Sequence, residues 1–525
     1  MARNLGSGRH AGLLVPLFSI PSRSSWGIGE LCDLPRLGRW LREAGFSFVQ
    51  LLPLNEMASG QHSPYSALSA MAIDPIFISP EAIPDFGAGG ADAALGPPER
   101  DALAAARGAA AVDYATVRAL KETAFRDAFA RFERDEWDRS TARGSALRSF
   151  IARDAWWLRE YGLFRALKAR EGGRNWRDWP APLRDRVPGA LDAARAELER
   201  DIRFYVYLQW IAAEQWAQAR ADGGVGVFGD FPFMVSGDSA DVWSRQEEFR
   251  LDASVGAPPD AFSETGQDWG FPAYRWAEIA AGGDEWLRAR ARRSADLYDG
   301  YRVDHVVGFF RTYVRDRDGS AAFVPAEEEE QMAQGARLIA LFTSTGGRVT
   351  AEDLGVIPDF VRQTLASFGV PGYKVLRWER EWNREGQPFT DPPAYAAVSI
   401  ATSGTHDTET LAEWWETAPA DDRRALAAVP SLRDAGLTAD EPFSHRVRDT
   451  LLSALFGAGS DLLILPVQDV FGWRDRINTP ALVSDENWSW RLPWPVDELD
   501  RQPDAIERAR FLRALAERSG RSSKR

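Results

Sequence analysis

Eight short apolar runs, each about five to nine residues long and closed by polar or Gly-Pro punctuation, constrain this chain more than any other feature. They cover residues 13–20, 46–54, 225–234, 301–305, 349–354, 373–378, 398–403 and 462–470. Their apolar character is nearly continuous rather than alternating, the pattern of parallel strands covered on both faces, and stretches with helical periodicity separate most of them. Eight such strands predict an α/β chain closed into a parallel (β/α)8 TIM barrel. At 525 residues one barrel spanning 1–525 must also carry insertions.

The spacing says where they lie. The second and third runs are about 170 residues apart, far beyond an ordinary βα connection, so residues 77–220 are expected to form an inserted, mainly helical subdomain. Residues 145–169 and 202–220 carry aromatics and aliphatics at three- and four-residue spacing, as helices require. The Ala/Gly-rich stretch 87–111 reads as a flexible surface connection. A second insertion, 235–300, holds GAPPDAFSETGQDWGFP, whose turn formers and apolar tips predict a loop, 256–271, at the barrel mouth. The acidic run 327–330 reads as the solvated start of a helix, and the basic tail 518–525 as a frayed end.

Composition removes several classes of function. Subtracting 77 acidic from 63 basic residues gives −14, and no basic stripe interrupts that balance, so nucleic acid is not an expected partner. A single cysteine, Cys32, excludes an internal disulfide and a zinc site built on several thiolates, which makes the cytoplasm the default location. The run AGLLVPLFSI follows Arg3 and Arg9 as a signal peptide would, but Pro16 breaks it, and a core strand is the expectation. No segment reaches the roughly 18 uncharged apolar residues that a membrane span needs.

In a barrel of this kind the chemistry sits at the carboxyl ends of the strands. Three acids stand there: Asp304 in YRVDH, Glu352 in TAEDLG and Asp407 in GTHDTE. Arg302 lies two residues before Asp304, and strand alternation points both side chains the same way, so its guanidinium favours an ionised Asp304, as a nucleophile requires. Glu352 has no basic neighbour within three positions and follows the small Ala351, so burial can keep its proton for general-acid work. An ionised carboxylate beside a protonated one is the pairing that breaks glycosidic bonds. His305 and His406 offer neutral hydrogen-bonding edges suited to sugar hydroxyls.

The strings SSWGIGEL, SPYSALSA, GDFPFMVSGDSADVW, GAPPDAFSETGQDWG, YRVDH, AEDLG, GTHD and NTPALVSDENW, in that order, resemble the 4-α-glucanotransferases called amylomaltases or disproportionating enzymes, a branch of the α-amylase clan. The resemblance implies a barrel with inserted subdomains and no C-terminal β-sandwich. It places the nucleophile on Asp304, the acid/base on Glu352 and the transition-state stabiliser on Asp407. It further implies that Arg302, His305, His406, Asp230 and Asn478 hold the sugar at the cleavage point, that Tyr65 is an aromatic platform, and that Gln267 and Trp269 belong to a covering loop. Val306 and Val307, where the family often has Phe and Arg, together with Thr408 and Phe271, mark a divergent branch. So does ALVSDENW after NTP, in place of the usual Gly-Thr.

The resemblance implies a retaining transferase acting on α-1,4-glucans (maltose, maltotriose and longer maltodextrins) through a covalent glucosyl-enzyme, with no metal or organic cofactor. Two alternatives stay open at this point: an α-glucan hydrolase using the same acids with water as acceptor, and a non-catalytic glucan-binding homologue. Retention predicts that the Asp304 and Glu352 carboxyls lie about 5 to 5.5 Å apart.

Overall fold

Each of the eight apolar runs contributes a strand in the computed structural model, which describes residues 8–58, 60–87, 89–259, 266–480 and 482–522. Among the described residues the strands, in chain order, are β1 (His10–Leu14), β2 (Phe48–Gln50), β3 (Gly226–Phe231), β4 (Phe249–Ala257), β5 (Gln267–Tyr274), β6 (Gly300–Val303), β7 (Thr312–Asp316), β8 (Ala321–Val324), β9 (Arg348–Ala351), β10 (Gly372–Val375), β11 (Ser399–Thr402) and β12 (Leu462–Pro466). The eight apolar runs give one parallel sheet in the order β10-β11-β12-β1-β2-β3-β6-β9. The strands are shorter than the runs because the apolar residues continue into the turns beyond them, where Leu51, Leu52 and Leu54 stay buried.

The sheet curls into a nearly closed barrel. Its interior is packed with rings: Phe48 of β2 lies 4.5 Å from Phe228 of β3, and Gly12 of β1 makes room for Phe48, whose ring a Cβ there would meet at 2.4 Å. Among the described residues no ladder joins β9 to β10. That seam is held by the Ala351 N–H to the Pro371 carbonyl at 3.0 Å and by Asp353, whose carboxylate accepts the Tyr373 N–H at 2.7 Å.

Between β2 and β3 run the helices Pro97–Gly108, Tyr114–Phe132, Ala142–Arg170, Pro188–Glu197 and Glu199–Gly223, with shorter turns between them. The stretch expected as a flexible connection, 87–111, is therefore largely ordered. Pro97 opens the helix Pro97–Gly108, Glu99 accepts the Gly96 N–H at 2.7 Å, and Leu103 and Ala106 are buried. Its alanines, read as low complexity, are good helix formers once capped. A buried ion pair, Lys121 to Glu30 at 2.7 Å, ties the helical region to the barrel.

Two other expectations change. Residues 267–271, expected as loop, belong to β5, which pairs with β4 in an antiparallel sheet of order β5-β4-β7-β8. Gln267, Trp269 and Phe271 are half-buried while Asp268 and Gly270 are exposed, the period of two that a strand imposes. Gly256 of β4 permits the pairing, since a Cβ there would meet the Gln267 carbonyl at 1.9 Å. The tail is not frayed at Arg521. Its fully buried guanidinium donates to the carbonyls of Phe456 (3.0 Å), Ala458 (2.8 Å), Ser460 (2.6 Å) and Asp461 (3.2 Å) beneath β12. A basic residue near a chain end stays ordered when a cluster of buried carbonyls accepts its N–H groups.

Candidate active site

The carboxyl ends of β3, β6, β9 and β11 converge on one mouth. Register sets the first two acids there. Val303 pairs with Ala351 across β6 and β9, so Asp304 and Glu352 are the next residues out on neighbouring strands, which lie about 4.8 Å apart. Backbone bonds carry the match one step further: the Glu352 N–H donates to Val303 at 2.9 Å and the Val306 N–H to the Glu352 carbonyl at 3.1 Å.

Arg302 organises the floor. It pairs in register with Asp230 on β3, and its guanidinium donates to Asp230 Oδ2 at 2.5 Å, to Asp304 Oδ1 at 2.6 Å and to the Tyr65 hydroxyl at 3.3 Å. The Tyr65 hydroxyl also donates to Asp230 Oδ2 at 2.8 Å and lies 3.0 Å from His406 Nε2. Asp230 is buried and bound to both neighbours, so it supports Arg302 and Tyr65 from below.

Each acid has a different environment. Burial pushes the Glu352 carboxyl up to about 7, with Arg302 opposing and Asp304 adding to the rise. Its oxygens accept the N–H groups of His305 and Leu354, both at 2.9 Å. His305 adopts a left-handed backbone, φ +47, that turns its amide toward Glu352. Burial also drives the His305 imidazole down to about 4, so it is neutral near pH 7. Around Asp407 burial works against the charge, but His406 (Nε2 to Oδ2, 3.1 Å), Asn478 (Nδ2 to Oδ1, 2.6 Å) and the more distant Arg302 outweigh it and hold the carboxyl at about 2.

The hairpin of β4 and β5 reaches over this floor. Trp269 stands edge-on to the His305 ring at 4.8 Å, and its Nε1 donates to Gln267 Oε1 at 3.1 Å. Phe262, in the string expected to supply apolar cover, lies outside the described residues. The divergent positions have plain structural roles: Val306 and Val307 are buried beneath the turn after Asp304, and Thr408 accepts the Thr405 N–H at 3.0 Å, bracing the turn that carries Asp407.

All eleven candidate residues thus meet at one mouth. Three neighbours were not singled out from the sequence. Tyr373 and Gln50 exchange hydrogen bonds at 3.3 and 3.4 Å on the barrel floor, and Trp488 lies against Tyr65 and His406. Only Trp488 left a signal, as the aromatic that ends the polar string SDEN.

A family model described as 4-alpha-glucanotransferase matches residues 15–497. A Thermus thermophilus 4-alpha-glucanotransferase is 34% identical over 500 residues, 92% of this chain and 95% of its own. One from Chlamydia pneumoniae is 31% identical over 509 residues, 94% and 93% respectively. The solved amylomaltase from Streptococcus agalactiae in complex with acarbose superposes with a TM-score of 0.81 at 26% identity, covering 98% of this chain and 100% of that one.

Proposed function

The chain belongs to the 4-α-glucanotransferase family, and from that membership we propose that its mouth exchanges α-1,4-glucosidic links by double displacement, with Asp304, Glu352 and Asp407 in three separate roles. Asp304 Oδ2 attacks the anomeric carbon while Arg302 holds Oδ1. The bond to the departing glycosidic oxygen breaks, and Glu352 gives that oxygen its proton. A covalent glucosyl-enzyme forms. Glu352, now a carboxylate supported by the His305 and Leu354 amides, takes the proton from the 4-hydroxyl of an acceptor glucan; that oxygen bonds to the anomeric carbon and the Asp304 ester breaks.

The observation that carries this reading is the register match of Asp304 and Glu352 on neighbouring strands. It fits the short carboxyl separation of a retaining enzyme, which leaves no room for a water between the nucleophile and the sugar. Asp407, ionised and anchored by His406 and Asn478, is suited to the ring hydroxyls, where it offsets the positive charge of the oxocarbenium-like transition state. Tyr65, His305 and Trp269 offer rings and neutral edges to glucose, whose CH faces stack on aromatics. The substrates proposed are maltose, maltotriose and longer maltodextrins.

Incubation with maltotriose is the test. Exchange conserves the number of α-1,4 links and yields glucose with a ladder of longer maltodextrins. Glucose and maltose alone, with reducing ends rising in step, would show hydrolysis instead. Asp304→Ala should lose several orders of magnitude in kcat and Glu352→Gln about 10²- to 10⁴-fold, with the fold retained by circular dichroism.

A further inference from the structure

Trp488 stands in a backbone conformation that bulky residues avoid. Its φ is +64, a left-handed value that persists only where the surroundings over-determine it. Those surroundings hold it from several sides. The Trp488 N–H donates to the Ile477 carbonyl at 2.8 Å, and its own carbonyl accepts the hydroxyl of buried Tyr114 at 2.8 Å. Tyr114 in turn stacks on His62 at 4.8 Å and 15°. One residue earlier, Asn487 Oδ1 accepts the Thr479 N–H at 2.9 Å; one residue later, the Ser489 carbonyl accepts the Val112 N–H at 2.8 Å. The segment after β12 and the start of the inserted helix Tyr114–Phe132 therefore grip Trp488 together.

Held in this way, the buried indole lies 5.8 Å from the Tyr65 ring and 5.7 Å from the His406 ring, which are themselves stacked at 5.4 Å and 16°. The polar edge of this cluster is His406 Nε2, shared between the Tyr65 hydroxyl and Asp407 Oδ2. The three acids differ in what fixes them. Asp304 and Glu352 directly follow strands paired in one ladder, whereas Asp407 comes five residues after Thr402 ends β11, on a turn. An acid on a turn needs a wall behind it.

We propose that Trp488 is a positioning residue for the reaction: its strained backbone seats the indole where it fixes the ring planes of Tyr65 and His406 and, through His406, the Asp407 carboxylate. This rests on the reading of Asp407 as the stabilising acid. The indole acts through the two rings and makes no contact with the glucan.

The experiment is a double-mutant cycle on maltotriose disproportionation with W488A, H406A and W488A/H406A, read as kcat and KM separately, with thermal midpoints as a control. W488A should lose about 10²-fold in kcat, the scale of a misplaced catalytic group, while KM stays within about threefold. W488F should recover most of that loss. The double variant should be no slower than the slower single variant, because both act on one carboxylate. Additive losses overturn the proposal, and so does a W488A effect confined to KM, which would make the indole a glucan-binding wall. Y114F removes one hydroxyl from the clamp and keeps the test decisive if W488A does not fold: a kcat loss of roughly two- to tenfold is expected from one hydrogen bond, and an unchanged kcat overturns the clamp. H406A at full turnover would instead defeat the role assigned to the His406–Asp407 pair, a separate failure.

Discussion

Asp304, Glu352 and Asp407 carry the same functional group, and their neighbours alone tell them apart. A guanidinium hydrogen bond from Arg302 marks Asp304, the proposed nucleophile; burial against two amides marks Glu352, the proposed acid/base; and a histidine with an amide marks Asp407, the proposed stabiliser. The Glu352 carboxyl, raised to about 7, gives the first prediction. In the proposed reaction it must be protonated to expel the leaving group, so on the alkaline side activity falls as pH rises through that value. The kcat/KM profile for maltotriose should show an alkaline limb near 7 that Glu352→Gln abolishes. A limb that survives the substitution would assign it to another group. The second prediction concerns Arg302, which holds Asp230, Asp304 and Tyr65 with one planar fork. Arg302→Lys keeps the charge but reaches fewer of these partners, and kcat should fall roughly 10- to 10²-fold, the value of one or two charge-assisted hydrogen bonds. At this scale the strings around the acids exposed most of the site, because YRVDH, AEDLG and GTHD keep each acid beside the neighbours that set its role. Trp488 was less legible, since its partners Tyr65, Tyr114 and His406 are brought to it only by the fold.

Among the elements, the hairpin of β4 and β5 places Trp269 against His305, one residue beyond Asp304, and leaves its exposed face to solvent. We propose that it favours sugar over water at the glucosyl-enzyme. Trp269→Ala should raise glucose release relative to chain-length redistribution on maltotriose, as water reaches the Asp304 ester more easily; an unchanged ratio would reduce Trp269 to packing. The hairpin also shows where sequence reading fails. The barrel strands were legible because burial on both faces gives uninterrupted runs such as LLILP of β12. Strand β4, with FRLDASVGA, is half-exposed and contains Asp, Ser and Gly, so its pattern is that of a loop until β5 and β7 pair with it. The helix Pro97–Gly108 was hidden differently: its alanines show little periodicity, and the cap from Glu99 is what commits them.

For the whole molecule, the barrel floor opposite the mouth depends on Arg521, which satisfies carbonyls around Phe456, Ala458, Ser460 and Asp461. Arg521→Ala takes the donor from the Ser460 carbonyl, at about 1–3 kcal/mol if that oxygen is left dry, and weakens the other three, which keep the Arg9 guanidinium (Phe456 and Ala458) or the His10 N–H (Asp461). The expected result is a lower thermal midpoint and faster heat inactivation with disproportionation at 25 °C unchanged; an unchanged midpoint would mean that water replaces the guanidinium. No pattern near the chain end announced this, because the partners of Arg521 are backbone atoms about sixty residues away. No helix among the described residues is long and apolar enough to cross a membrane. The barrel has one weakly sewn joint, between β9 and β10, and a ring with one such joint works as a clasp. Asp304 and Glu352 ride one jaw, Asp407 the other. The gauge between Asp304 and Glu352 is fixed by their shared ladder, while the gauge from that pair to Asp407 has give in it. Amide exchange should register this as faster opening at Ala351 and Tyr373 than along β1 and β12, so any load a tightly fitted glucan places on the mouth is taken up at the clasp.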